Sequence, residues 1–277
     1  MNNLIERALP GQGAEVARLI ARSLAADLRR MTIWESPRAG RYVEALLAGT
    51  SPDHAAEFYL LRSGGVASGV AAFRRLEGGA FLNHIYIAPE LRGRSLGAGL
   101  LAEATRRYLE RHGAGWVALE VFAGRPEAEE VQAWYQRLGF VERRRWLWWI
   151  APTAAPAPDP GPTGEAACEN LEDAERQHRA WGFSNLRMRT SGGRIFQVGR
   201  LGALYFRLGE SEAAGDPQLG AALARLDPAR GWLLVVPTLA APTPGPSDWR
   251  LAGESRRLEC PAAELLERLA VRRRRVA

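Results

Sequence analysis

Lysine is missing altogether: all 37 basic residues are arginine, set against 31 acids for a formal charge of +6. Such one-sidedness, alongside much Ala, Gly and Pro, reflects coding-sequence bias and says little about partners. The sequence pI of about 10.0 is compatible with nucleic acid or an anionic ligand and chooses neither. Cysteine is nearly absent. Cys168 and Cys260 are too few for a disulfide framework and lack metal-ligand spacing, so both read as idle or buried thiols and no metal site is expected. No apolar run approaches about 18 residues, so no transmembrane helix is expected. Met1-Asn2-Asn3 opens without the basic and apolar stretches of a signal peptide. The expectation is a cytoplasmic protein with no membrane partner.

What is present is ordinary globular composition, 47% hydrophobic and 25% charged, which excludes wholesale disorder. A chain of 277 residues suits two domains of about 100–150 residues. The sharpest change in composition is residues 151–164, APTAAPAPDPGPTG, whose five prolines leave too few backbone donors for helix or sheet. It reads as a semi-rigid spacer, dividing the chain into 1–150 and 165–277. A second Pro-rich patch at 237–246 is shorter and reads as a loop.

In the first half the apolar pattern predicts a strand at 4–8, then helices at 13–30 and 38–48. Strands at 58–61, 66–74 and 81–87 follow, joined by Gly64-Gly65 and Gly78-Gly79 as an antiparallel meander. A helix at 97–112 and a strand at 116–122 come next. A helix opened by Pro126 and ended by Gly139, and a strand at 141–150, complete the half. The fold class is α/β (α+β): a mixed, largely antiparallel sheet with helices on both faces.

The segment 82–101, LNHIYIAPELRGRSLGAGLL, runs from an apolar strand through a proline and a Gly-Arg loop into a helix. Glycines allow close backbone approach, and a helix N-terminus offers unpaired N–H groups and partial positive charge. Arg92 and Arg94 add full charges matched to phosphate oxygens. Downstream stands a second motif, Tyr135-Gln136-Arg137-Leu138-Gly139-Phe140.

With the opening IERALPGQGAEVARLI and this element order, the two motifs resemble the GNAT superfamily of N-acetyltransferases over residues 1 to about 150. The resemblance implies acetyl-CoA as acyl donor. It aligns the family's phosphate loop with Arg92-Gly93-Arg94-Ser95-Leu96-Gly97 and the adjoining Ala98, whose backbone N–H groups would hold the pyrophosphate. The backbone of Ile85, Tyr86 and Ile87 would pair with the pantetheine arm. Ser95 stands where the family usually has glycine, and serine resists positive φ. A second literal match, Arg94 to Gly99, begins two residues too far from the strand. Tyr135 aligns with the family's tyrosine that protonates the departing thiolate, although a core aromatic would also occupy that helix face. Ala128 replaces an asparagine that often contacts the cofactor.

Direct attack by an amine needs something to remove its proton. Glu120 and His84 are the candidates, with Asn83 able to position a water; a solvated glutamate and a core histidine are the plain readings of the first two. The connection between the first two helices holds Trp34 and Glu35, an aromatic and an acid suited to an acceptor amine, or equally to helix packing.

After the spacer, a helix at 170–181, three strands at 185–190, 194–200 and 203–208, a helix at 217–226 and a strand at 232–236 repeat the order of the first half. Two short strands near 248–251 and 255–260 and a helix after Pro261 end the chain. This suggests a degenerate second copy. Gly215-Asp216-Pro217-Gln218-Leu219-Gly220 lacks the arginines and carries a proline where donors are needed, so this half is expected not to bind CoA. It is then structural or part of the acceptor pocket; an unrelated small α+β domain is the alternative. Arg272 to Arg275 read as a solvated end and do not make nucleic acid an expected partner. The functional reading is an N-acetyltransferase acting on a small-molecule or peptide amine, with a non-catalytic acyl-CoA-binding or partner-binding module as the rival and a homodimer left open.

Overall fold

The computed structural model describes residues 3–51, 56–123, 126–153, 166–236 and 249–274. Most of the expected spacer (154–164), the 237–246 patch and Arg275 lie outside them.

In chain order the first half comprises β1 (Asn3–Arg7), α1 (Gly13–Ser23), α2 (Ala26–Arg30), α3 (Ala39–Leu47), β2 (Ala56–Ser63), β3 (Val66–Leu76) and β4 (Gly79–Ile87). It continues with α4 (Leu96–His112), β5 (Trp116–Ala123), α5 (Pro126–Gln136) and β6 (Val141–Pro152). The second half holds β7 (Ala167–Cys168), α6 (Leu171–Trp181), β8 (Ser184–Arg189), β9 (Ile195–Leu201), β10 (Tyr205–Leu208) and α7 (Ser211–Ala214). Then come α8 (Pro217–Leu226), β11 (Trp232–Val235), β12 (Arg250–Pro261) and α9 (Ala262–Arg274).

Two compact units divide the chain differently from the composition break. The first contains Met1–Ala25, Gly40–Arg145 and Arg256–Ala277; the second contains Ala26–Ala39 and Trp146–Ser255. Two corrections to the expected elements follow. The helix expected over 13–30 stops at Ser23, because Leu24 leaves it in an extended conformation; Leu24 and Leu28 fit a helical period across a real break. Residues 151 and 152, expected in the spacer, belong to β6, where Ala151 and Pro152 pair with Leu233 and Trp232 of β11. A proline at a strand's end costs little in the ladder, and Ala151 is buried in the second unit's core.

The sheet of the first unit runs β1-β2-β3-β4-β5, followed by β12. Its first four strands are antiparallel neighbours, and β4 and β5 pair in parallel, which requires a crossover, supplied by α4. Both faces are covered, so β2 and β3 read as nearly continuous apolar runs. Tyr59, Leu61, Ala71 and Phe73 point into one core with Leu100, Leu101 and Tyr108 of α4, Tyr135 and Leu138 around α5, and Leu258, Leu265 and Leu269 from the chain's end. Val16, Leu19 and Ile20 of α1 are buried outside that core, as expected for the helix on the opposite face. The Gly78-Gly79 turn is fixed by Trp116: a Cβ on Gly79 would lie 2.3 Å from its ring. Gly79→Ala is therefore expected to cost about 1–3 kcal/mol through overpacking, read as a lower midpoint in urea with an unchanged slope.

The second unit orders its strands β6-β11-β10-β9-β8-β7, with β7 to β10 antiparallel and β10–β11 parallel. Strand, helix, three antiparallel strands, helix and parallel strand thus occur twice, as the element order of the sequence suggests. No helix among the described residues is long and apolar enough to cross a membrane.

Candidate active site

The parallel pairing of β4 and β5 ends at Leu82–Leu119, while β4 continues to Ile87. The two strands therefore part, leaving the β5-facing edge of β4 open over its last five residues. A bulge helps: Ala72 pairs with His84 and Phe73 with Leu82, so Asn83 is the extra residue, and bulges of this kind bend a strand and re-aim its side chains. The parity change puts Leu82 on one side of the bulge, and Ile85 and Ile87 on the other, all against the α4 and α5 core. His84 and Tyr86 alternate to the opposite face.

From Ile87 the chain turns through Pro89–Leu91 into the loop. The Arg92 guanidinium has two contacts: its Nε donates to the Ile87 carbonyl at 3.1 Å and its Cζ lies 5.8 Å from the Tyr86 ring centre. The Ile87 carbonyl, expected to be free for a cofactor, is thus shared with Arg92. Gly93 has φ +75 and Ser95 has φ 56, the one positive value among the described non-glycine residues. Ser95 adopts the left-handed conformation that glycine would take without strain, at a cost of about 1–2 kcal/mol. It is the N-cap of α4 and makes no side-chain capping hydrogen bond. The N–H groups of Leu96, Gly97 and Ala98 have no intrahelical acceptors, and Arg92 and Arg94 stand exposed beside them. In the frame beginning at Arg92 the fourth residue is Ser95, the positive-φ residue directly before the helix, whereas in the frame beginning at Arg94 it is Gly97, already inside α4.

Two other helix N-termini are closed by acids. On α1, the Glu44 carboxylate accepts from Gly11 and Gly13 N–H at 2.6 and 2.9 Å. On α8, Asp216 Oδ1 accepts from Gln218 and Leu219 N–H at 2.9 and 3.0 Å, with Pro217 in the first turn. The second unit's counterpart of the loop therefore caps itself.

Tyr135 is 4% exposed, packed edge-on against Trp134 and Phe140 at 4.8 and 5.3 Å. Burial pushes its phenol above the ordinary value, and its hydroxyl makes no hydrogen bond among the described residues. It shares the core with Ile87, Leu91 and Leu100, the residues that flank the loop. Ala128 packs against the same core and brings no polar group toward it.

His84 is half-buried, and desolvation lowers its pKa to about 4. It is neutral at pH 7 and a weak base there. Because the folded value lies below the ordinary 6.5, the unfolded chain binds the extra proton between the two. Stability is full above about pH 6.5, falls as the pH drops toward 4, and is flat below. The loss is on the order of 2–3 kcal/mol; denaturation of wild type and His84→Gln at pH 7 and 4.5 should show it in the former only.

Glu120 follows the last β4–β5 pair and lies 3.9 Å from Arg257. Leu119 and Val121 beside it face the Tyr135 core, so Glu120 points to the other side. Trp34 and Glu35 fall in the second unit. Glu35 Oε2 accepts from Ala203 N–H at 3.2 Å, and Ser36 Oγ donates to the Trp181 carbonyl at 2.6 Å; packing of this segment against β9–β10 and α6 accounts for its acid. The first unit thus holds the loop, the β4 edge, Asn83, His84, Glu120 and Tyr135, while Trp34 and Glu35 belong to the second. Arg257 and Arg74, near Glu120 in the folded unit, are far from it in sequence and carry no motif.

Residues 54–142 match the family model of the acetyltransferase (GNAT) domain. No curated protein matches the sequence. Among solved structures, the chain is similar to a tandem GNAT protein from the clavulanic acid biosynthesis pathway at 13% identity, covering 94% of this chain and 99% of that one with a TM-score of 0.65. It is similar to a GCN5-related N-acetyltransferase from Sphaerobacter thermophilus at 16% identity, with 94% and 96% covered and a TM-score of 0.59. A GCN5-related N-acetyltransferase from Kribbella flavida aligns at 15% identity over 93% of this chain and 70% of that one, with a TM-score of 0.51. These are likenesses of fold.

Proposed function

From the GNAT acetyltransferase domain carried by residues 54–142, we infer that this protein transfers the acetyl group of acetyl-CoA to a primary amine of a small molecule or peptide. The uncapped N-terminus of α4 carries this reading. Leu96, Gly97 and Ala98 offer free N–H groups, and Arg92 and Arg94 offer two guanidiniums, together suited to a pyrophosphate. The open edge of β4 over Ile85, Tyr86 and Ile87 suits an extended, amide-bearing arm. The donor supplies a thioester carbonyl.

This chain's residues would bind, orient and move protons around that group. Tyr135, kept protonated by burial, would hydrogen-bond to the departing sulfur and give it a proton as negative charge builds there, with the phenol's proton restored through solvent. Removal of the acceptor's proton falls to Glu120 or to a water on Asn83 in preference to His84, whose depressed pKa leaves it a poor acceptor. The self-capped α8 supports one cofactor site per chain and a structural role for the second unit.

Thiol release from acetyl-CoA, screened across amines, tests the reading: saturable release with at least one class of amine is expected. The packing of Ala128 into the core favours the rival, a binding module. Tight CoA binding with no amine accelerating thiol release would establish that rival instead.

A further inference from the structure

Phe81 on β4 has two guanidiniums against its ring, those of Arg74 and Arg257, at 4.5 and 4.7 Å from its centre. Arg74 pairs with Phe81 in the β3–β4 register. Arg257 comes from β12, and the Trp116 ring centre lies 6.0 Å away. Phe73, Leu82, Leu119 and Leu258, the chain neighbours of Arg74, Phe81, Glu120 and Arg257, all belong to the α4/α5 core. Alternation therefore puts these four residues together on the opposite face of the sheet.

The electrostatics of the group are unfinished. The Arg257 side chain is 14% exposed, with Glu120 Oε1 3.9 Å from its Nη1 and Glu259 Oε1 3.4 Å from its Nε. Neither contact is a hydrogen bond, and Arg257 Nε is buried with no acceptor among the described residues. The two acids offset its charge without meeting its donors. An arginine this enclosed ordinarily has a carboxylate in bidentate contact. Contact with the Phe81 ring holds both guanidinium carbons within 4.7 Å of its centre by cation–π attraction, which lessens the ordering left to be done when an anion arrives. Glu120, one residue past the last β4–β5 pair, sets a negative charge at the mouth of the gap between those strands.

We propose that Arg74 and Arg257 form a carboxylate-recognition point beside Glu120, so that the acceptor is an amine that itself carries a carboxylate, its ammonium drawn to Glu120. The proposal rests on the acetyltransferase reading above and narrows it to a zwitterionic acceptor class.

The test compares amino acids with their carboxamides as acceptors, by thiol release, in wild type, Arg257→Gln and Arg74→Gln. The expected result is a kcat/KM for the acid at least about tenfold above that for its amide, as for a charge-assisted hydrogen bond gained. Each variant should bring the acid down to the level of its amide, through KM. Equal use of acid and amide by the wild type, or a preference that survives both substitutions, would overturn the proposal. Arg74 is exposed, so its variant is expected to fold even if Arg257→Gln melts early. If no amine releases thiol, the transferase reading fails separately, and calorimetry with the same amino acids and amides on the CoA-saturated protein decides. Tighter binding of the acid in wild type alone sustains the recognition point; equal or absent binding removes it.

Discussion

Ser95→Asp is expected to weaken CoA binding by about a hundredfold while leaving the melting temperature nearly unchanged. The substitution puts a carboxylate at the start of α4, as α8 has in Asp216, whose carboxylate occupies the N–H groups of Gln218 and Leu219 from an extended backbone. Aspartate tolerates the left-handed conformation that Ser95 holds better than most residues, so the loop can keep its course. Its carboxylate would compete for the N–H groups at the helix start, worth about 1 kcal/mol for a cap. It would also place a negative charge beside the bound phosphates, at a helix end that ordinarily favours anions by about 0.3–1 kcal/mol. With the repulsion between anions added, the sum is about 2–3 kcal/mol, a factor of about a hundred. Calorimetry with free CoA is the right measurement, because it does not depend on turnover. A dissociation constant within threefold of wild type would mean that the phosphates bind elsewhere.

The second large effect concerns chemistry alone. Tyr135→Phe is expected to lower kcat by about 10²–10³-fold, the usual range for losing a positioned acid, with CoA affinity unchanged. The ring keeps its contacts with Trp134 and Phe140, and the hydroxyl has no hydrogen bond among the described residues to lose, so stability should hold. Because burial raises the phenol above the ordinary 10.0, Tyr135 should remain protonated throughout pH 7–10, and kcat should show no falling alkaline limb on its account. An unchanged kcat in the phenylalanine protein would leave Tyr135 as a packing residue.

The motifs that announced themselves in the sequence are local. The strand, loop and helix around Arg92 to Ala98 lie within twenty residues, and glycine, arginine and helix-start chemistry all act over that distance. The element order of the second half was legible for the same reason: β8, β9 and β10 are short alternating strands separated by turn residues. What could not be read depends on contacts far apart in sequence. Nothing near Glu35 says that its carboxylate will take the N–H of Ala203. Nothing near Glu120 points to Arg257. Leu24 and Leu28 continued a helical period through a break, since periodicity reports spacing and is blind to the backbone turning away at Leu24. The expected boundary followed composition, and proline content marks where the chain is stiff without saying which side each flanking segment packs on.

The threading of the two units sets the order of events during translation. The first core needs Leu258, Leu265 and Leu269, which follow Trp146–Ser255 of the second unit in the chain, so that core cannot close until the intervening segment has been made. The second unit, in turn, takes Ala26–Ala39, which lies between two segments of the first. A gene truncated at the Pro-rich segment would therefore encode a first unit lacking its final strand and helix. Deletion cannot remove the second copy cleanly from such a chain.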